Sequence, residues 1–468
     1  MEISFCAFDY TAEDRFLQST YTFRGKPADG WLITRNREEY LRLGPGHQPL
    51  RTMLCGVCST DLARRYLPYP LPHVIGHEAV ALDPETGSYF VPEINDTCLA
   101  RGDSEPCIFC RSGLPTHCPD RLVLGIDRLP GAFGSWMLVP TGAKVPIGNL
   151  PPPVAVLAEP FAAALHAVSV SPPSAGSRVA VIGAGRLGLL IVAALAVRRE
   201  AENIDCSITV IEPRERNRRI ALQLGADESE ESMSSRHQKI FNIVFESSGS
   251  PDGMDIALAC ARDEVHLKST HGRAYRGIRQ LSSMVVDEIS LLPDRLESFD
   301  FTWKGESRRN QSIYVAPAAR VDGISSFSII FHGEIGNAED MIESSFDKNA
   351  IPRFDIAVAS TPGEIDACIR PSENNQHPLL RPRGAIVFRG EPAGNPLLTF
   401  IAAGGKLRTT RCGDIREAVS ILTRDESLQR RMSALITHVF PASRIGEAFA
   451  AAATPEAIKV LIDHGGCL

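Results

Sequence analysis

The sequence predicts an α/β chain: a β-rich first domain, then a doubly wound parallel sheet, with an extra α/β insertion late in the chain. Three observations carry this. Short apolar runs broken by Gly and Pro fill residues 1–150. Strands and helices alternate from Arg178 onward. At 468 residues the chain is too long for one ordinary core.

The elements follow in order. Ala79–Leu82, Leu122–Gly125 and Trp136–Pro140 are short strand-like runs, and Pro151-Pro152-Pro153 marks a boundary. Val154–Val170 is apolar and Ala-rich and reads as a buried helix. Val179–Ile182 is a β-branched strand, Gly183 to Gly188 a turn, and Leu189–Arg198 a helix. Ile208–Ile211 is the second strand, Arg214–Leu224 a helix stopped by Gly225, and Ile240–Phe245 the third strand. Such alternation builds a parallel sheet with crossover helices. Beyond 292, Ile313–Val315, Phe327–Phe331, Phe354–Val358 and Ala385–Phe388 read as strands, and Ala338–Ser345 and Gly363–Ile369 as helices. Residues 416–435 and 443–453 read as helices, and Ala457–Ile462 as a closing strand. No repeat of fixed period is evident.

Composition excludes several classes. A net charge of −7 argues against general nucleic-acid binding. No run of eighteen apolar residues is present, so no membrane span is expected. The opening MEISFCAFDYTAEDR has no basic-then-apolar pattern, so no signal peptide is expected and a reducing, cytoplasmic compartment follows. Of the twelve cysteines, five fall between 58 and 118. In a reducing compartment such clustering points to metal ligands before disulfides.

Gly56-Val57-Cys58-Ser59-Thr60-Asp61 is followed by Gly76-His77-Glu78, and much later by Glu159-Pro160 and His166. Thiolate, imidazole and carboxylate are zinc ligands, and a catalytic zinc keeps one position open. Cys58, His77 and one or two carboxylates satisfy that. Zinc in such a site lowers the pKa of a bound alcohol. Asp61 is placed to orient His77 through a hydrogen bond. Thr60 offers a hydroxyl to carry the alcohol proton outward. Taken singly, each residue reads as ordinary core or surface, and only the combination is specific.

That combination resembles the zinc-containing medium-chain dehydrogenase/reductase family. G-x-C-x-[ST]-D then G-H-E matches Gly56–Asp61 and Gly76–Glu78, and E-P-x5-H-A of the polyol branch (sorbitol, threonine and glucose dehydrogenase-like) matches Glu159, Pro160, His166 and Ala167. The resemblance implies a catalytic set of Cys58, Thr60, His77, Glu78 and Glu159. Its zinc ligands fall on Cys58, His77 and Glu159, with Glu78 coordinating directly or through water, and Cys55 is structural. It also implies a GroES-like catalytic domain over 1–155 and 436–468, a Rossmann domain over 156–292 and 405–435, and an insertion of unassigned role over 293–404. The resemblance covers about 30–292 and 405–465; the first forty residues depart from it.

Cys107-x2-Cys110-x7-Cys118 matches the last gaps of the family's four-cysteine lobe. Ser104 stands where the first cysteine belongs. Cys98, after Pro92-Glu93-Ile94-Asn95, is the candidate replacement, with a three-cysteine lobe or an empty lobe of free thiols as the alternatives. Four thiolates in tetrahedral array make a closed, structural zinc site.

Val179–Ile182 runs into Gly183-Ala184-Gly185-Arg186-Leu187-Gly188 and then a helix, the setting that G-x-G-x-x-G requires. These residues are expected to turn under the pyrophosphate of a dinucleotide at the helix N-terminus. Glu212, ending the next strand, suits the ribose hydroxyls and favours NAD. Arg214 and Arg216 are placed to receive a 2′-phosphate, so NADP stays open. Phe245–Gly249 and Leu267-Lys268-Ser269-Thr270 resemble later cofactor-side segments of the family.

The expectation is thus a zinc- and NAD-dependent oxidoreductase acting on a secondary alcohol such as a polyol, sugar, cyclitol or hydroxy-amino acid. The alternatives are a zinc-free enoyl or quinone reductase-like enzyme and a non-catalytic cofactor-binding regulator. Partners are a small-molecule substrate and, by the resemblance, further copies in a homodimer or homotetramer; neither nucleic acid nor membrane is expected.

Overall fold

The computed structural model describes residues 1–268, 274–294, 301–303, 306–308, 314–316, 328–331, 354–369 and 380–465. The chain divides into two compact units, Met1–Ala162 with Gly413–Leu468, and Ala163–Cys412. The chain therefore re-enters the first unit at Gly413, earlier than the expected 436.

The first unit opens with four antiparallel strands paired in sequence order, Glu2–Tyr10, Phe16–Lys26, Gly30–Arg35 and Glu38–Leu43. Burial along Phe16–Lys26 alternates, sending Ser19, Tyr21 and Phe23 inward, as a strand's period of two dictates. Tyr21, Phe23, Trp31 and Ile33 join Leu50, Phe133 and Phe449 in one core. The next sheet is built on His47–Gly56, which pairs with Trp136–Pro140 near its start and with Glu78–Leu82 and Lys459–Asp463 near its end. Gly56 faces Glu78 on one side and Leu461 on the other, so the segment leading into Cys58 is held from both flanks. The closing segment is a parallel pair, Ile436–Pro441 and Lys459–Asp463, around the helix Ile445–Ala452.

The expected helix over 416–435 is two helices, Ile415–Arg424 and Glu426–Ser433. Asp425 interrupts them because its carboxylate caps the second by accepting from Leu428 N at 2.8 Å. Likewise Val154–Val170 is broken into Pro152–Ala155 and Ala158–Val170. No described helix is long and apolar enough to cross a membrane.

The second unit holds the doubly wound sheet. Its strands are Ser177–Ile182, Cys206–Ile211, Glu228–Glu230, Phe241–Glu246, Ala261–Leu267 and Lys406–Thr409. All are parallel and lie in the order 3-2-1-4-5-6. The segment expected as third is therefore fourth. Glu228–Glu230 intervenes, a three-residue charged edge strand with no apolar signature. The helix expected at Leu189–Arg198 runs from Arg186 to Glu202.

Most described strands of 293–404 continue this same sheet, while Phe301–Trp303 and Glu306–Arg308 pair only with each other, in a separate two-stranded sheet. Ser290–Pro293 lies antiparallel beside the sixth strand, and Leu380–Phe388 and Phe354–Ala359 follow in parallel. Ser328–Phe331 and Tyr314–Ala316 complete the edge in antiparallel. Pro362–Ile369 forms as expected. The expected helix Ala338–Ser345 lies outside the described residues.

Candidate metal and cofactor sites

Two glycines make room for the first cluster. A Cβ on Gly56 would meet Glu78 Oε2 at 2.5 Å and Lys459 Cδ at 3.2 Å. Gly76 has φ +96°, and a Cβ there would strike the Phe133 ring at 2.4 Å and Cys55 Sγ at 3.0 Å. Cys55 is accordingly a buried packing residue. Cys58 caps the short helix Ser59–Leu62: its Sγ lies 3.5 Å from Thr60 N, while Asp61 Oδ2 accepts from Cys58 N at 2.8 Å. Asp61 Oδ1 lies 3.5 Å from His77 Nδ1. One carboxylate thus holds the thiol-bearing turn and faces the imidazole, but at 3.5 Å the expected hydrogen bond from His77 to Asp61 is not made. Burial opposes charge on His77, but Asp61 and Cys58 outweigh it and raise its pKa well above the ordinary value. Thr60 stays half-buried on the same turn.

Ligand atoms of Cys58, His77 and Glu78 lie within 4.8 Å of one another. Glu159 is not part of that close group, a departure from the four-residue set expected. Its carboxyl is nevertheless in the same electrostatic neighbourhood: burial, then Glu78 and Glu93, push its pKa up to about 7 against the pull of His77. Glu78 is engaged from behind by Lys459, whose ammonium forms a buried ion pair with Oε2. His166 belongs to the second unit, where it lies 3.3 Å from the carboxylate of Glu288.

Cys98, Cys107, Cys110 and Cys118 bring their sulfurs within 4.8 Å of one another. Thr97 caps the turn Cys98–Arg101 through Ala100 N, and Asp96 before it holds both His47 Nε2 and Arg101 at 2.9 Å. Cys107 N donates to Cys98 Sγ at 3.1 Å. Burial disfavours a Cys98 thiolate, yet this amide and the neighbouring thiols lower its pKa. Burial raises Cys110 and pushes Cys118 up to about 11. No described cysteine is in a disulfide. Four sulfurs gathered without bonding to each other are a donor set that fits a tetrahedral cation.

In the second unit each motif glycine has its own reason. Gly183 has φ +83°, and a Cβ on Gly188 would stand 1.9 Å from Gly183 O. Gly185 faces open space, its nearest neighbour being Arg214 at 3.9 Å, and it offers no side-chain cap to the helix Arg186–Glu202. The first-turn N–H groups of that helix, beginning with Arg186, Leu187 and Gly188, are donors that could hold a phosphate. Glu212 is 2% exposed and accepts from Ala184 N at 2.8 Å and from Arg214 Nε at 2.7 Å. Burial opposes its ionisation, but Arg214 prevails and lowers its pKa. Of the later cofactor-side segment, Lys268 is described, whereas Ser269 and Thr270 lie outside the described residues.

Sequence reasoning missed Lys459, which is 381 positions from Glu78, and the roles of Glu288 and Arg383. A signal for Lys459 was available in a lysine set directly before the apolar run Val460–Ile462 of the closing strand.

Fold and sites together define a two-unit chain with a cysteine–histidine–glutamate centre in one unit and a Rossmann-type sheet in the other. The alcohol dehydrogenase GroES-like domain profile matches residues 44–149. The chain is 30% identical to the L-threonine 3-dehydrogenase of Streptomyces avermitilis over 242 residues, 48% of this chain and 68% of that one. It is 29% identical to D-arabinitol dehydrogenase 1 of Uromyces fabae over 153 residues, 30% of this chain and 42% of that one. Two further L-threonine 3-dehydrogenases, of Rhizobium rhizogenes and Pyrococcus furiosus, are matched over 62% and 54% of their length. An alcohol dehydrogenase from Thermotoga maritima shares the fold with a TM-score of 0.56 at 16% identity, over 99% of each chain. The chain belongs to the zinc-containing medium-chain dehydrogenase/reductase family of alcohol dehydrogenase-like proteins.

Proposed function

We propose that this chain is a zinc-dependent oxidoreductase that passes hydride between a secondary alcohol and NAD. The observation that carries the reading is the convergence of Cys58, His77 and Glu78, with Asp61 Oδ1 3.5 Å from His77 Nδ1. A thiol beside an imidazole fits a soft or borderline cation better than Mg²⁺ or Ca²⁺.

Cys58 and His77 would hold zinc in this reading. Glu78, paired with Lys459, is the third donor of the close cluster, and Glu159 would join the set once it gives up its proton. Zinc in such a site supplies Lewis acidity that favours ionisation of an alcohol. Thr60 accepts the alcohol proton and passes it to solvent from its half-buried turn. NAD supplies the hydride acceptor. Glu212 selects it by its fit to two ribose hydroxyls, and its carboxylate would repel a 2′-phosphate unless Arg214 left it to neutralise that charge. Cys98, Cys107, Cys110 and Cys118 would hold a second, structural zinc.

The substrate class inferred is a polyol, sugar, cyclitol or hydroxy-amino acid. Support comes from relatives named for threonine and arabinitol and from carboxylates in place of a second cysteine at the centre. Cytoplasmic location and a homodimeric or homotetrameric state belong to the same reading.

The test combines zinc content with NADH absorbance across a panel of polyols and amino alcohols. Turnover should appear with zinc bound, and Cys58→Ser should abolish it while NADH binding persists. Silence across the panel in zinc- and NAD-loaded protein would instead favour a non-catalytic role.

A further inference from the structure

Strands of a doubly wound parallel sheet are ordinarily apolar on both faces. The carboxyl ends of the fifth and sixth strands depart from this. Lys268, directly after the fifth strand, is 6% exposed, and Glu288 is 7% exposed. Lys268 Nζ donates to Thr410 O and to Thr410 Oγ1, both at 3.0 Å, and also to the Arg411 carbonyl. From the other side Arg411 N donates to Glu288 Oε1 at 3.4 Å. The Thr410 carbonyl and the Arg411 N–H are two ends of one peptide group. That peptide therefore carries a buried ammonium at its oxygen and a buried carboxylate at its nitrogen.

The surroundings tighten the arrangement. Glu288 also takes His166 Nε2 at 3.3 Å and Arg383 Nε at 2.8 Å. His266 bridges Thr410 Oγ1 at 2.9 Å and Ser171 Oγ at 2.7 Å. Both Glu288 and Arg383 adopt left-handed backbone, at φ +56° and +62°, which is strained for residues with a Cβ. Burying two charges is costly, and apolar side chains would serve packing as well. Strain and buried charge here converge on the orientation of one peptide plane.

The position of that plane suggests its use. A doubly wound sheet receives a dinucleotide at the carboxyl ends of its strands, one nucleotide on each half. Glu212 ends the second strand and so marks the half that takes the adenosine ribose. The other nucleotide falls to the half built from the fourth, fifth and sixth strands, and the Thr410–Arg411 peptide follows the sixth.

We propose that Lys268 and Glu288 are positioning residues that fix the Thr410–Arg411 peptide to receive the nicotinamide half of the cofactor. The proposal rests on the dinucleotide reading above. Arg383 brings the extra strands into the device, because it belongs to Leu380–Phe388 and holds Glu288 from the side.

The experiment compares NADH with ADP-ribose, which has the adenosine half and no nicotinamide. Both are titrated calorimetrically into the full-length, zinc-loaded protein. Lys268→Met and Glu288→Gln should weaken NADH roughly tenfold or more, since each removes charge-assisted hydrogen bonds. ADP-ribose affinity should stay unchanged. Arg383→Met, whose side chain is 42% exposed and so puts folding at little risk, should give a smaller but equally selective loss. It decides the matter should Lys268→Met fail to fold. Equal weakening of both ligands, or unchanged NADH affinity, would overturn the clamp while leaving the dinucleotide reading intact. Wild-type protein that binds neither ligand would overturn both.

Discussion

Replacing Lys459 with Met leaves the Glu78 carboxylate buried at 1% exposure with its ion-pair partner gone. The methionine fills much of the lysine's volume, so the change removes charge more than packing. Breaking a buried pair from one side costs about 3–5 kcal/mol, because the remaining charge stays out of water uncompensated. For a unit of this size each kcal/mol lowers Tm by about 2–4 °C, giving an expected fall of roughly 6–20 °C. The double variant Lys459→Met with Glu78→Gln should recover most of the loss, since no bare charge remains. The assay is scanning calorimetry at neutral pH with zinc supplied, with the urea midpoint as a second measure. A single variant within about 2 °C of wild type would show that the pair does not carry this free energy. So would a double variant no better than the single one.

Three further outcomes follow from the same geometry. Cys98→Ser should lower zinc content by one equivalent per chain and leave Cys58 chemistry in place; unchanged content would remove Cys98 from the ligand set. Glu212→Ala should weaken NAD binding by about 1.5–3 kcal/mol and narrow its preference over NADP, since charged hydrogen bonds are lost and Arg214 is released; an unchanged preference would mean the ribose contact lies elsewhere. Metal-free protein should be most stable, with respect to Glu159, below about pH 4.5, and should lose that contribution as pH rises through about 7. The sign follows from a folded-state pKa above the ordinary value. Glu159→Gln should flatten this slope, and identical slopes would exclude the group.

What the sequence made legible is what local backbone demands. Gly56, Gly76, Gly183 and Gly188 stand where a Cβ would collide, so their motifs survive as short strings that can be read without a structure. Cys58 and Asp61 cap their own turn, and Cys98, singled out by the segment before it and not by its spacing, accepts the amide of Cys107. What stayed hidden depends on distant pairing. Lys459 meets Glu78 only because the closing strand lies beside His47–Gly56. The insertion gave strand signals but no hint that its strands would join the existing sheet, because a buried parallel strand carries no mark of its neighbour. Glu228–Glu230 was missed because a short charged edge strand lacks the apolar run on which recognition relies. The departure of Glu159 from the close cluster is likewise invisible in the E-P-x5-H-A string, which sets spacing and not side-chain direction.

Anomalous diffraction at the zinc edge, on crystals grown with zinc, is the most direct measurement. The account predicts two peaks per chain. One should lie about 2.3 Å from Cys58 Sγ and about 2.0–2.1 Å from an imidazole nitrogen of His77, and the other about 2.3 Å from each sulfur of the four-cysteine lobe. A chain with no peak between Cys58 and His77 would contradict it.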